Sequence, residues 1–228
     1  MNRSSLGRTI SDTFRRARFA LSNTQRDAFV AYTELLTRWT EHVNLTAVRE
    51  PDEIVRVHYL DSALLLAHVG IASGERIADV GSGAGFPGIP IAILRPDVRV
   101  VLFESVGKKA AFLDTVAARL GLRNIAVRAE HLDPKRIAPE WKGTFNGVVS
   151  RYTAPLPWLV ECARSLVCPD GWLAAYKFEN ADEYANFEEL RHRDEIAEAT
   201  WIVEERAVPR RRFVVLRFAL ESDDDVVR

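Results

Sequence analysis

Between Ile77 and Gly88 the chain reads Ile77-Ala78-Asp79-Val80-Gly81-Ser82-Gly83-Ala84-Gly85-Phe86-Pro87-Gly88. An apolar run that ends in an acid, glycines at alternate positions and a proline suited to a first helical turn describe a buried strand turning tightly into a helix. Such a turn lets the backbone approach a ligand, and it points the free N–H groups of the helix start at that ligand. The result is a nucleotide pocket at the carboxyl ends of parallel strands. Gly83-x-Gly85-x-x-Gly88 also meets the dinucleotide fingerprint, so the glycines alone leave the nucleotide open.

The acids narrow it. Asp79 stands two residues before the first glycine, Glu104 ends the next apolar run, and Ala129-Glu130 follows a third. A carboxylate at Asp79 answers a cation carrying an ammonium and a sulfonium, whereas a pyrophosphate there would be repelled. Glu104 stands where an acid accepts from ribose hydroxyls, which is neutral between cofactor classes. Glu130 adds a third acid at the end of a strand, placed to hold an adenine edge beside Ala129. S-adenosyl-L-methionine is therefore the expected cofactor, with NAD as the alternative left by the fingerprint.

These residues need a sheet to carry them. After Gly74, short β-rich runs alternate with helix-period segments, the pattern of a parallel sheet covered on both faces. Strands are predicted at 76–80, 98–104, 125–128, 145–150 and 172–177, and helices at 87–94, 108–120, 155–166 and 182–191. Runs at 196–204 and 212–218 leave no room for a helix between them and predict an antiparallel pair at one sheet edge. That closing pair is the habit of the methyltransferase variant of the doubly wound fold. Before residue 70 the chain predicts helices only. Segment 8–20 reads as a weak helix or mobile arm, segment 24–40 carries Phe29, Tyr32, Leu36 and Trp39 on one stripe, and a third helix starts near Pro51. A helical extension over 1–70 and a Rossmann-like domain over 71–228 are the expected units.

Composition sets bounds on this. The chain has 228 residues, 47% of them hydrophobic, and a net charge of -1, so any polyanion must be met by a local basic patch. Three clusters qualify: Arg15, Arg16 and Arg18; Lys108 and Lys109; Arg210, Arg211 and Arg212. No signal-peptide core or membrane span is visible, and Cys162 and Cys168 are expected as reduced, packed thiols. A cytoplasmic monomer without metal or membrane contact is expected.

Several separated motifs together resemble the small-subunit ribosomal RNA guanine-N7 methyltransferase family, RsmG, also called glucose-inhibited division protein B (GidB). They are Asn44-Leu45-Thr46-Ala47-Val48 with His58-Tyr59-Leu60-Asp61-Ser62, the loop from Asp79 to Pro90, Lys108-Lys109 with Phe112-Leu113, Arg128-Ala129-Glu130, and Ser150-Arg151. The resemblance covers roughly residues 20–218. It implies a class I S-adenosylmethionine-dependent methyltransferase of α/β fold acting on 16S RNA. It also implies cofactor contacts at Gly81 and Phe86, at Glu104 for the ribose, at Ala129 and Glu130 for the adenine, and at Arg151 beside the methionine end or the target. His58 and Asp61 would lie at the pocket mouth or form a local pair. The chain departs from the family pattern at Tyr152, where alanine is usual, at Tyr176 and Phe178 either side of Lys177, and at Val57, where an arginine is common.

Methylation of guanine N7 needs no general base, because that nitrogen offers an in-plane lone pair and has no proton to lose. Alignment is the main demand. Arg151, Tyr152 and Lys177 are the candidate catalytic residues, with Asp79, Gly81, Gly83, Gly85, Phe86, Glu104, Ala129, Glu130 and Arg151 as cofactor contacts. A diverged methyltransferase of small molecules or proteins, an NAD-dependent oxidoreductase and a non-catalytic binding module are the competing readings.

Overall fold

Apolar residues recurring every three or four positions make the first part of the chain helical. Helix α1 spans Arg3–Arg16 in the computed structural model, which describes residues 2–177, 181–205 and 211–219. Phe178, Arg210, the side chain of Arg211 and the acidic 221–225 tail lie outside the described residues. The expectation of a weak or mobile arm over 8–20 is corrected. The Asn2 side chain caps α1 by accepting from Ser5 N–H, and Leu6, Ile10 and Phe14, one turn apart, are buried. The basic residues of this segment obscured an apolar stripe that begins upstream of Arg8. Truncating Phe14 to alanine is accordingly expected to cost about 3–5 kcal/mol in urea unfolding, because its ring is fully buried. A free arm would lose nothing.

Helix α2 spans Asn23–Thr40 and starts with a capping box, in which Ser22 and Gln25 each bond the other's backbone N–H through their side chains. The same Gln25 side chain donates to Leu94 O at 3.1 Å, which ties α2 to the Rossmann-like part. The third helix is continuous from Pro51 to Leu66 but not uniform: α3 (Pro51–Ile54) and α4 (Asp61–Leu66) flank a π-helical turn, Val55–Leu60. Such wide turns occur often at functional sites, and this one carries His58.

The sheet comprises β1 (Arg76–Val80), β2 (Arg99–Phe103), β3 (Ile125–Arg128), β4 (Phe145–Arg151), β5 (Val167–Lys177), β6 (Ile196–Glu204) and β7 (Arg211–Phe218). Its order is β3-β2-β1-β4-β5-β7-β6. The first five strands run parallel, and β7 is antiparallel to both β5 and β6. Side chains alternate between two cores with period two. Val100 and Leu102 face the core shared with the N-terminal helices, α5 (Gly88–Leu94) and α6 (Gly107–Leu120), while Val101 and Phe103 face the core under α7 (Leu156–Leu166) and α8 (Ala181–Leu190). Residues 2–70 therefore share the covering of one face of the sheet with α5 and α6. Cys162 and Cys168 are free thiols, and no helix among the described residues is long and apolar enough to cross a membrane.

Candidate functional site

The loop after β1 is drawn tight from both sides. Gly81 takes φ +71°, and a Cβ there would strike the side chain of Thr153, which follows β4. Gly85 takes φ +96° against Ile89 and the Tyr32 hydroxyl, and that hydroxyl donates to Ala84 O. The extension thus reaches into the loop, a contact that reading Tyr32 as part of an apolar stripe could not distinguish from packing. Helix α5 begins at Gly88 rather than Pro87, and its first N–H is not open to a ligand: Gly88 N donates to Asp79 Oδ2 at 2.9 Å. Asp79 is fully buried, and its other oxygen, Oδ1, has no hydrogen-bond partner among the described residues. Burial raises its carboxyl from 3.8 to about 7, against the pull of the Gly88 N–H and of the neighbouring Ser82 hydroxyl, whose own hydrogen bond goes to the Asp79 backbone carbonyl at 3.0 Å and not to Oδ1.

Strand register puts the other acids beside it. Val80 pairs with Phe103, and Phe103 with Arg128, so Gly81, Glu104 and Ala129 leave adjacent strands side by side. Glu104 is buried and holds the loop directly, accepting from Gly83 N and Val106 N at 2.8 Å each. A carboxylate has four lone-pair directions, so these two bonds leave room for ribose hydroxyls. Ala129 is exposed, and half-buried Glu130 accepts from the Trp141 indole at 3.3 Å.

Arg151 closes β4 with its side chain 8% exposed. Its Nη2 donates to Val57 O at 2.6 Å and lies 3.5 Å from Asp61 Oδ2, both on the third helix. Its Nη1 is buried and has no hydrogen-bond partner among the described residues. Phe86, Tyr152 and Tyr176 place their rings 5.8, 5.6 and 5.5 Å from the guanidinium carbon. Tyr152 sits at φ +53°, a region bulky side chains rarely occupy and one that accompanies functional strain. His58 bonds the Thr46 hydroxyl at 2.8 Å and stacks on Phe86 at 4.4 Å, and Asp61 faces Arg151. Lys177 is buried, donates to Ala154 O at 2.6 Å and pairs with Glu183 at 3.2 Å, and burial lowers its pKa. Phe86, Arg151 and Tyr152 are thus gathered into one cluster, while Lys177 is directed to Ala154 and α8. The Val57 carbonyl and Tyr176 join that cluster; both positions stood out in sequence only as departures from the family pattern, since neither a carbonyl nor a core tyrosine announces a contact with Arg151.

A parallel sheet closed by an antiparallel seventh strand, with a glycine loop after β1 and an acid after β2, defines the class I methyltransferase fold. Solved structures agree at the level of fold. A methyltransferase from Pyrococcus furiosus superposes with a TM-score of 0.58 at 15% identity, over 86% of this chain and 98% of that one. A SAM-dependent methyltransferase from Aquifex aeolicus gives 0.56 at 15% identity, over 81% and 98%. The family model described as rRNA small subunit methyltransferase G matches residues 25–208. Ribosomal RNA small subunit methyltransferase G of Desulfitobacterium hafniense is 40% identical over 171 residues, 75% of this chain and 70% of that protein. The chain belongs to the rRNA small subunit methyltransferase G family.

Proposed function

We propose that this protein transfers the methyl group of S-adenosylmethionine to N7 of a guanine in small-subunit ribosomal RNA. The observation that carries the cofactor half is Asp79 Oδ1, a fully buried acceptor without a partner beneath the glycine loop. A cation satisfies such an oxygen, and a pyrophosphate would aggravate it. Asp79, Glu104, Ala129 and Glu130 would hold the cofactor with the backbone at Gly81, Gly83 and Gly85, and Phe86 would wall it. When bound, that cofactor supplies a methyl group activated by its sulfonium.

The target half draws on Arg151. Its open Nη1 is a donor at the end of β4, and guanine presents an acceptor, O6, beside N7. Adenine presents an amino donor at that position, and a guanidinium can only donate, so the same group would disfavour adenine. Tyr152 offers a ring for stacking, worth about 1–3 kcal/mol per base. Buried Lys177 would act as a brace, holding the turn after β4 through Ala154 O. The extension 1–70 and the domain 71–228 would work as one unit, because Val57 and Asp61 complete the hold on Arg151. A small-subunit RNA substrate places this work in the cytoplasm.

Incubating the protein with labelled cofactor and small ribosomal subunits from a strain lacking the modification tests this reading. Label should enter RNA, and borohydride with aniline should cleave the labelled RNA at one guanosine. Label that resists ribonuclease, or none at low salt, would refute it.

A further inference from the structure

Helix α1 buries Leu6, Ile10 and Phe14 and turns Ser4, Arg8, Ser11 and Arg15 outward in a stripe that Arg18 extends. Beside the stripe runs a groove between α1 and the start of α2. One part, about 560 Å³, is lined by Arg3, Arg8 and Arg26; the other, about 420 Å³, by Arg15 and Arg18, and Ser11 borders both. Five arginines meet two acids there, Asp12 and Asp27, in a chain whose net charge is -1. Arg3, Arg15 and Arg26 have acidic partners, whereas exposed Arg8 and Arg18 have no ion pair among the described residues.

Arg18 is also held where glycine is the ordinary choice. It follows the α1 cap at φ +66°, and Phe19 N–H bonds back to Phe14 O at 2.9 Å, a helix ending that glycine completes without strain. A guanidinium occupies the position instead, at the lip of the groove.

We propose that this groove docks the phosphate backbone of the RNA substrate, an inference that rests on the ribosomal RNA reading above. Guanidinium groups in a concave strip match phosphates by charge and by hydrogen-bond geometry. A lipid surface does not fit, because the apolar face of α1 is spent on the protein core and none remains to enter a bilayer. Docking here would register the RNA against the methyl-transfer site. Phe14 packs on Phe29 at 5.3 Å, Phe29 on Tyr59 at 4.8 Å, and Tyr59 on Phe86 at 6.0 Å, a continuous path of rings from α1 to the glycine loop.

The test compares the wild type with the double variant Arg8→Gln/Arg18→Gly, in which glycine relieves the strained position. Methylation of small subunits is followed from 50 to 200 mM salt. Each lost phosphate contact flattens the slope of log kcat/KM against log salt by about 0.7–0.9, so the wild type should lose about tenfold more over this range than the variant. Affinity for S-adenosylhomocysteine and the melting temperature should not fall. A control, Arg99→Gln/Arg119→Gln, removes the same charge outside the groove and should keep the wild-type slope. An unchanged slope in the groove variant, or an equal change in the control, overturns the docking surface. A wild type that places no label in RNA refutes the functional reading instead.

Discussion

Replacing Arg151 by lysine should lower kcat for small-subunit RNA by about a hundredfold while leaving the affinity for S-adenosylhomocysteine within a few-fold of wild type. The charge survives this change, but the fork does not. Arginine spans Val57 O, Asp61 and an open Nη1 at once from a planar group. Lysine offers one flexible ammonium and cannot satisfy the first two while presenting a donor to the target. Losing one oriented donor at a reacting group typically costs a factor of about 10²–10³. Alanine is the less informative variant, because it would also remove the guanidinium beside the buried Asp61 carboxylate and mix a loss of stability with any loss of rate. Single-turnover rates and cofactor titration on Arg151→Lys separate the two roles open to this residue. A lost cofactor affinity with an unchanged rate would move Arg151 to the methionine end; a rate within threefold of wild type would remove it from the chemistry.

The parts of this fold that were legible in sequence are those where one residue pattern has one structural solution. Strand β1 occupies Arg76–Val80 and β3 Ile125–Arg128 as read, because each is a short apolar run beside a turn signal, Gly81 after β1 and Gly121 to Asn124 before β3. The pair β6 and β7 was readable from the shortness of the segment between them. Illegible features depended on partners far away in the chain. Nothing local in Asp61 says that its carboxylate faces a guanidinium 90 residues downstream, on β4. Nothing local in Tyr32 says that its hydroxyl seats the glycine loop. The π-helical turn is equally silent, since the periodicity of 51–66 reads as ordinary helix, yet it carries the His58 ring that stacks on Phe86. For the candidate site, sequence located the acids and the arginine at strand ends, and tertiary packing decided which oxygen or nitrogen each keeps open.

The open oxygen of Asp79 ties both stability and ligand binding to pH, in opposite directions. Its carboxyl is raised from 3.8 to about 7 by burial, so folding takes up a proton between those values. The stabilisation linked to that proton is full below about 3.8, declines as pH rises and is lost above about 7. At about 1.4 kcal/mol per pH unit, the interval is worth roughly 4 kcal/mol, of which roughly 3 falls between pH 5 and pH 8. Asparagine keeps an acceptor for Gly88 N–H and has no proton to lose. Asp79→Asn should therefore gain roughly 3 kcal/mol on the wild type between pH 5 and pH 8, read by urea unfolding at both. Ligand binding should run the other way. A cofactor bearing an ammonium needs the ionised carboxylate, so wild-type affinity for S-adenosylhomocysteine should rise up to tenfold per pH unit below about 7 and level off above it. The asparagine variant should bind weakly at every pH, without that rise. Parallel pH profiles for the two proteins, in unfolding and in binding, would show that the buried carboxylate neither holds the proton nor meets the cation, and the cofactor assignment would lose its physical basis.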